Sequence, residues 1–441
     1  MKTNVLTGNW PRVPVAQIYG RLTRVSGLLL EAVGCNLGIG DRAMVERRDG
    51  AYVEAEVVGF HQGILCLMPI TDTQGLSPGA RVIPQTETHK IPLGAGLLGR
   101  VLDGLGQPLD QLGPLSGVQF CRPVTQVPNP LARQPITRIL DVGVRAVNGL
   151  LPVGCGQRVG LFAGPGVGKS VLLGMMTRFT EADRVVVGLI GERGREVREF
   201  IEQALGEEGR RRAVVVAAPA DTSPLMRLRA MRLCHQIACG FRDEGHRGLL
   251  LVDSLTRYAQ AQREIALSLG EPPATKGYPP SAFAQLPSLV EMAGNGTHPQ
   301  GTLTAFYTVL TEGEDTQDPI ADAAKAILDG HFFLSRRLAE AGHFPALDLG
   351  ASISRLALQI APKEQQQEMA LVRRMLARYQ EVRELLPLGG YQPGQDPELD
   401  AAVSHYPRIA DYLTQTTDEA VDLSGSQQQL QSLTRVLRGE S

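Results

Sequence analysis

A glycine-rich run between two apolar stretches constrains the fold of this chain more than any other feature. The run reads Gly164-Pro165-Gly166-Val167-Gly168-Lys169-Ser170. Residues 158–162 before it are mainly apolar, which is typical of a short buried strand, and residues 171–176 after it are apolar with helical spacing. A strand, a glycine loop and a helix in this order indicate a phosphate-binding loop, because glycines let successive backbone N–H groups point at phosphate oxygens.

This loop predicts that the ligand is a nucleoside triphosphate. Lys169 is expected to reach the β- and γ-phosphates, and the hydroxyl of Ser170 is expected to bind Mg²⁺. An ordinary glycine–proline turn with a capping serine is the alternative. A Gly-Lys-Ser sequence directly after a buried strand is far more specific than loose glycine spacing. The other residues predicted to line the nucleotide are Gly164, Pro165, Gly166, Val167, Gly168 and Val171.

The composition is that of a globular protein without a membrane-spanning segment. The 441 residues leave room for two or three domains, and 43% of them are apolar. No apolar run approaches the roughly 20 residues of a membrane helix, and residues 1–13 lack the apolar core of a signal peptide. We therefore expect a cytoplasmic protein whose six cysteines are reduced. The net charge of −2 argues against an extended nucleic-acid-binding surface.

The pattern of apolar residues changes twice along the chain. Short, closely spaced strands between residues 18 and 92 indicate a small β-barrel. From residue 93, apolar strands alternate with helical stretches, which predicts a mostly parallel sheet covered by helices. Beyond Arg355 the pattern is helical and polar. The predicted class is α/β, with an N-terminal β-barrel domain in residues 1–92, a P-loop core in residues 93–355 and a C-terminal helical domain in residues 356–441.

Two carboxylates are placed to act on a bound triphosphate. Hydrolysis needs a metal, a positioned water and positive charge near the transferred phosphoryl group. The apolar strand at residues 249–252 ends at Asp253, which is expected to support Mg²⁺. Glu192 follows another apolar strand, residues 185–190, and is expected to orient and polarise the attacking water. For Glu192 the alternative is a solvated charge cluster that caps the next helix.

Two arginines adjoin these carboxylates in the sequence. Arg257 lies one helical turn beyond Asp253, and it is expected to contact the γ-phosphate or to organise Glu192. A surface salt bridge is the alternative for Arg257. Arg193 follows Glu192 directly and is included among the catalytic candidates, together with Lys169.

Several longer motifs are similar to those of a known family. They are residues 19–24, 191–197, 253–259, 270–281 and 345–354. On these motifs, the span from Tyr19 to about residue 410 resembles the flagellum-specific ATPase of type III protein export. That family is related to the catalytic subunits of F-type and V-type rotary ATPases. The resemblance implies a RecA-like core and Mg²⁺-dependent hydrolysis of ATP that energises the delivery of export substrates.

The resemblance also implies an assembly in which neighbouring subunits share active sites. Arg355, directly after the motif at residues 345–354, corresponds to an arginine finger that reaches into the adjoining site. Without the resemblance, Arg355 is simply a basic residue that opens the helical region. The implied assembly is a homohexamer that associates peripherally with the inner face of the cytoplasmic membrane. Its implied partners are a stator-like regulatory protein, a coiled-coil central stalk, the export gate and chaperone–substrate complexes.

The chain departs from the family pattern in two places. Relatives have an aromatic residue that stacks on adenine at the position of Gln367. In this chain, Tyr379 or another aromatic residue is expected to stack on the base instead. Residues 1–15 contain Gly8, Pro11 and Pro14, which disfavour the amphipathic N-terminal helix that docks the regulatory partner in relatives.

Three rival functions are open to sequence arguments. The first is a hexameric RNA translocase, which also has a P-loop core but needs an N-terminal domain that binds RNA through basic and aromatic side chains. Residues 1–95 hold nine Lys/Arg against eight Asp/Glu, and Trp10 is the only tryptophan, so this composition argues against RNA binding. A non-catalytic ring subunit, like the α-type subunits of rotary ATPases, carries glutamine at the position of Glu192, so the carboxylate favours catalysis. The ATPase of a virulence injectisome is the third rival. Residues 19–24 and 160–176 favour the flagellar branch.

Overall fold

The computed structural model describes residues 18–85, 90–123, 128–311 and 318–440. The chain divides into two compact units, Met1–Thr88 and His89–Ser441. Among the helices of the described ranges, none is both long enough and apolar enough to cross a membrane. The prediction that residues 1–15 form a poor docking helix lies outside the described residues.

A closed barrel of six strands forms the first unit, as the strand pattern predicts. Alternate side chains point inward, so that Val53, Ala55 and Val57 are fully buried along the fourth strand. A tight turn at Gly50, whose φ of 82° suits glycine, separates the third and fourth strands. The strands are β1 (Gly20–Ser26), β2 (Leu29–Val33), β3 (Arg42–Glu46), β4 (Tyr52–His61), β5 (Ile64–Pro69) and β6 (Arg81–Pro84). Their order around the barrel is β1-β2-β5-β4-β3-β6.

An eight-stranded sheet forms the centre of the second unit. The strands of this unit are β7 (Ile91–Leu93), β8 (Val101–Leu102), β9 (Gln119–Cys121), β10 (Arg158–Ala163), β11 (Arg184–Ile190), β12 (Ala213–Ala218), β13 (Arg247–Asp253), β14 (Thr302–Leu310), β15 (Gly330–Leu334) and β16 (Leu347–Ser354). The sheet order is β16-β15-β10-β14-β13-β11-β12-β8, and β7 pairs with β9. All neighbours in the large sheet are parallel except β15 and β16, which are antiparallel.

Helices cover the sheet, and this explains why its central strands are buried along almost their whole length. The helices are α1 (Arg145–Leu150), α2 (Lys169–Phe179), α3 (Gly194–Glu199), α4 (Gly206–Arg211), α5 (Pro224–Asp243), α6 (Leu255–Ser268), α7 (Pro280–Val290), α8 (Pro319–Ile327), α9 (Arg336–Glu340), α10 (Ala357–Ile360), α11 (Lys363–Val382), α12 (Pro397–Leu413) and α13 (Leu423–Leu437). A π-helical turn at Phe200–Leu205 joins α3 to α4. Short 3-10 turns lie at Ala95–Leu97, Pro130–Ala132, Thr275–Gly277 and Leu386–Leu388.

The C-terminal helices share a hydrophobic core with the sheet unit. Val372 of α11, Ile409 of α12 and Leu430 of α13 pack in one cluster with Val147 and Leu150 of α1. The predicted combination of a barrel, a parallel P-loop sheet and C-terminal helices is therefore confirmed.

All six cysteines, each among the described residues, are free.

Candidate active site

The glycine-rich run forms the predicted loop between β10 and α2. Gly166 and Gly168 have φ values of 77° and 85°, a left-handed conformation that glycine adopts without strain. Gly168 caps α2, which begins at Lys169, while Val167 is buried in the core and anchors the loop. The first N–H groups of a helix have no hydrogen-bond partner within the helix, and they lie at the positive end of the helix dipole. The loop thus offers backbone donors to an anion at the start of α2.

Three functional side chains meet at the carboxyl edge of the sheet. The amine of Lys169 lies 2.7 Å from Oδ1 of Asp253 and 3.5 Å from Oε1 of Glu192. Asp253 ends β13, and Glu192 lies just beyond β11, the neighbouring parallel strand. Because parallel strands end at a common edge, the two carboxylates converge on the lysine that follows β10. The structure therefore brings these three predicted residues together.

Burial and charge alter the acidity of this cluster. Burial disfavours the ammonium form of Lys169, but the carboxylates of Asp253 and Glu192 outweigh this effect and raise the pKa of the lysine. Burial, and then the negative charge of Asp253, raise the pKa of Glu192 to about 7, although Lys169 opposes the rise. A carboxyl group with a pKa near neutrality is well matched to accept a proton from water.

Asp253 has a second partner that sequence reasoning missed. The buried hydroxyl of Thr308, on β14, donates to Oδ1 of Asp253 at 2.6 Å. Threonine is common in buried strands, so the sequence gives no reason to single this one out. Its position next to Asp253 follows only from the order of the strands.

Arg257 lies beneath the Glu192 loop. Its side chain packs on Gly191, where an added Cβ would lie 2.7 Å from Cβ of the arginine. Nη1 donates to Oε1 of Gln260 at 2.9 Å, and Arg257 makes no ion pair within the described ranges. Among the described residues, Arg257 therefore does not form the surface salt bridge that is its alternative.

The structure does not bring Arg193 or Arg355 to the lysine cluster. The side chain of Arg193 is 80% exposed and lies 3.8 Å from Oε1 of Glu196. Arg355 follows the antiparallel strand β16, and its Nη2 donates to the carbonyl of Lys325 at 2.7 Å. Since β16 runs opposite to β10, its last residue lies at the amino edge of the sheet, away from the phosphate-binding loop.

An aromatic ring covers the start of α2. A Cβ placed on Gly168 would lie 3.2 Å from both Cδ1 and Cε1 of Phe344, and Phe344 is 40% exposed. The backbone N–H of Gln415 donates to the Phe344 carbonyl at 2.9 Å. The sequence argument sought the aromatic residue that stacks on adenine beyond Arg355. It therefore missed Phe344, which directly precedes the motif at residues 345–354.

The aromatic candidate from the sequence lies elsewhere. The ring of Tyr379 on α11 stacks on that of Tyr406 on α12, with 3.7 Å between centroids. Gln367 is exposed on α11. Tyr379 therefore stabilises the packing of the C-terminal helices, whereas the ring of Phe344 lies against Gly168 of the phosphate-binding loop.

The residues around the loop suit a metal that arrives with phosphates. No group of three or more His, Cys, Asp or Glu side chains within the described part of the chain is arranged to hold a metal by itself. Mg²⁺ commonly takes one or two protein oxygens and completes its shell with phosphate and water. The hydroxyl of Ser170 and the carboxylate of Asp253 are oxygen donors of this kind, so the donor set fits Mg²⁺.

Comparisons with known proteins agree with this geometry. Residues 143–354 match the nucleotide-binding domain of the ATP synthase alpha/beta family, and residues 361–432 match the C-terminal domain of the type III secretion ATPase EscN. A flagellum-specific ATP synthase of Pseudomonas aeruginosa is 56% identical over 96% of this chain and 94% of its own length. The chain belongs to the flagellar and type III secretion ATPase family.

Other members of this ATPase family show the same similarity. A flagellum-specific ATP synthase of Salmonella typhimurium is 55% identical over 95% of this chain and 94% of its own length. A type 3 secretion system ATPase of Xanthomonas euvesicatoria is 46% identical over 96% of this chain and 95% of its own. The solved structure of assembled EscN from enteropathogenic E. coli has a TM-score of 0.88 at 38% identity, covering 94% of this chain and 99% of EscN.

Proposed function

We propose that this protein hydrolyses Mg·ATP to energise flagellar type III protein export. The observation that carries the proposal is the meeting of Lys169, Asp253 and Glu192 beside a phosphate-binding loop, with Lys169 within 2.7 Å of Asp253 and 3.5 Å of Glu192. Relatives named flagellum-specific ATP synthase, at 56% and 55% identity, support the flagellar assignment.

The residues of the loop bind the triphosphate. Backbone N–H groups between Gly164 and Val171, from every residue except Pro165, donate to the phosphates, and Lys169 exchanges its carboxylate partners for the β- and γ-phosphate oxygens. Ser170 and Asp253 would hold Mg²⁺, which would supply positive charge next to the phosphate oxygens. Once Lys169 has turned to the phosphates, the carboxylate of Asp253 is free for this task.

Glu192 orients the attacking water and accepts its proton. Its pKa, raised to about 7 mainly by burial, leaves a large part of the carboxyl groups ionised at neutral pH. Arg257, which packs on Gly191, positions the loop that carries Glu192. Arg193 faces solvent in the single chain. We therefore place the catalytic role proposed for Arg193 at the interface between subunits.

Arg355 completes the site of the neighbouring subunit. In its own chain it lies at the amino edge of the sheet, roughly 20 Å from the loop if strand β10 is taken at 3.3 Å per residue. A head-to-tail arrangement of identical subunits presents this surface to the next site, and such an arrangement forms a ring when the rotation between subunits closes. We propose a homohexamer; the related EscN is described as an assembled ATPase, which supports an assembly.

Phe344 stacks on the base of the bound nucleotide. Its ring lies against Gly168 and is 40% exposed, so a base that follows phosphates bound at the start of α2 can cover it. Stacking on an aromatic face tolerates different bases, so adenine is assigned here from the family and not from hydrogen bonds.

The remaining parts of the proposal rest on similarity alone. EscN has been solved in complex with its central stalk EscO, with a TM-score of 0.85 to this chain. By this likeness we propose that a coiled-coil central stalk binds this protein, as do a stator-like regulatory protein, the export gate and chaperone–substrate complexes. We also propose a cytoplasmic protein that is peripheral at the membrane, divided into domains at residues 1–92, 93–355 and 356–441.

The alternative is export through an injectisome. The type 3 secretion ATPase relative at 46% identity and the likeness to EscN support this second candidate. The two candidates share the same chemistry and differ in the export machine that they serve.

Complementation separates the two candidates and tests the function. The gene is expressed in one strain that lacks its flagellar export ATPase and in another that lacks its injectisome ATPase, with Lys169→Ala as the inactive control. Restored swimming without restored effector secretion is the expected result. Restored secretion alone would favour the injectisome, and purified protein without Mg²⁺-dependent phosphate release would contradict the ATPase proposal itself.

A further inference from the structure

Thr308 occupies a particular place in the sheet. It lies on β14, between the strand that leads into the phosphate-binding loop and the strand that ends at Asp253. In the parallel pairing, Thr308 is opposite Leu161 of β10. Its side chain is fully buried, and its hydroxyl donates to Oδ1 of Asp253 at 2.6 Å. We propose that Thr308 is a positioning residue that fixes the Asp253 carboxylate for metal binding, an inference that rests on the proposed function.

The hydrogen bonds of Asp253 are unequally divided between its two oxygens. Oδ1 accepts from both the Thr308 hydroxyl at 2.6 Å and the Lys169 amine at 2.7 Å. Within the described residues, Oδ2 accepts no hydrogen bond. The Thr308 hydroxyl is the donor in its contact with Asp253, and a hydroxyl–carboxylate hydrogen bond in a buried site is strong. Together the two donors turn Oδ1 inward and leave Oδ2 for a metal or its water.

The two donors behave differently when phosphate binds. Lys169 is on a long side chain that turns to the phosphates, so Asp253 loses that partner. Thr308 remains in place, because a β-branched side chain on a buried central strand has little rotational freedom. Thr308 is then the donor that keeps the carboxylate oriented both before and after nucleotide binding. Residues that orient metal ligands typically contribute about 10- to 100-fold to metal affinity or activity.

A second threonine on the same strand provides a matched control. Thr304 is four residues before Thr308, on the same face of β14, and is also fully buried. Its hydroxyl accepts from the Gly156 N–H at 2.8 Å and donates to the Gly154 carbonyl at 3.3 Å. Thr304→Val therefore removes a buried hydroxyl from the same strand without touching Asp253.

The test measures how Mg²⁺ strengthens the binding of a non-hydrolysable fluorescent ATP analogue. Wild type, Thr308→Val, Thr308→Ser and Thr304→Val are compared as full-length chains, with circular dichroism melting as a check on folding. In Thr308→Val we expect about a 10- to 100-fold increase in the Mg²⁺ concentration for half-maximal enhancement and an equal analogue affinity without Mg²⁺. Thr308→Ser, which keeps the hydroxyl, and Thr304→Val are expected to follow the wild type.

The opposite results would overturn the inference. A Thr308→Val chain with wild-type Mg²⁺ dependence would do so, as would a Thr304→Val chain with the same shift. If Thr308→Val does not fold, Thr308→Ala removes the same hydroxyl without adding a methyl group to the site, and the same expectations apply. Because binding is measured without turnover, a wild type that binds the analogue but hydrolyses no ATP contradicts the proposed function and not the role of Thr308.

Discussion

Arg355 and Lys169 lie at opposite edges of one sheet. The hydroxyl of Ser354, next to Arg355, accepts from the side chain of Gln157 at 3.1 Å, just before β10 begins, whereas Lys169 follows the loop at the other end of β10. Six residues of strand separate the two edges, roughly 20 Å. The arginine of one chain therefore cannot reach the glycine-rich loop of that chain.

Replacing Arg355 should remove catalysis and leave binding intact. Arg355→Ala is expected to lower kcat by about 10³-fold or more, the range found for arginines supplied from a second subunit. Nucleotide affinity of the isolated chain should not change, because the side chain donates to the Lys325 carbonyl there, at the edge of the sheet opposite to the loop. Steady-state phosphate release and equilibrium binding measure the two quantities. Arg336→Ala is the control, since Arg336 is exposed and pairs with Glu340 at 2.9 Å; equal rates in both variants would contradict the assignment.

Specific activity should depend on protein concentration. If each site needs a neighbour's Arg355, the rate per chain rises steeply where subunits assemble and is near zero in the monomer. Turnover of Mg·ATP is measured over a dilution series, with mass photometry reporting the assembly at each point. A constant rate per chain through the transition from monomer to assembly would show that a single chain is complete.

The pH dependence of activity should follow Glu192. Glu192 accepts a proton only when it is ionised, and burial raises its pKa from 4.5 to about 7. The active form is therefore lost as the pH falls through about 7, and kcat/KM should then fall about tenfold per pH unit. Initial rates between about pH 8 and 5.5 measure this.

Two variants, one at Glu192 and one at Glu199, check the assignment of Glu192 as the base. Glu192→Gln should abolish turnover while keeping nucleotide binding. Glu199→Gln should keep the wild-type profile, because Glu199 is a solvent-facing carboxylate that pairs with Arg195 at 3.5 Å. A wild-type kcat/KM that stays level down to about pH 5.5 would exclude Glu192 as the base.

The ring of Phe344 should contribute affinity for the base. Phe344→Ala is expected to weaken ATP binding by about 1–3 kcal/mol, or about 5- to 150-fold in Kd. Binding of inorganic tripolyphosphate, which has no base, should stay the same, and Phe344→Trp should retain ATP affinity. Isothermal titration with both ligands tests this, with Tyr379→Ala as the aromatic control. An equal loss for both ligands would mean that Phe344 only supports the loop.

The sequence predicts the local parts of this site well. The phosphate-binding loop, Glu192 and Asp253 each lie directly after an apolar strand, and parallel strands of a helix-covered sheet end at one edge. Local pattern is therefore enough to place Lys169, Glu192 and Asp253 together, and the structure confirms that they meet.

The remaining residues of the site depend on long-range topology. Thr308 meets Asp253 only because β14 lies between β10 and β13. Phe344 contacts Gly168 although more than one hundred and seventy residues separate them in the sequence. The contact forms because the chain returns to the phosphate-binding loop. The position of Arg355 depends on β16 being antiparallel, which apolar periodicity does not reveal.

Mixing two inactive variants tests the shared site most directly. Lys169→Ala keeps Arg355 but cannot bind phosphate properly, and Arg355→Ala keeps the loop but lacks the finger. At equal amounts, about a quarter of head-to-tail interfaces would pair an intact loop with an intact finger. We predict ATP hydrolysis in the mixture well above that of either variant alone. No recovery at any mixing ratio, in assemblies verified to contain both variants, would contradict the account.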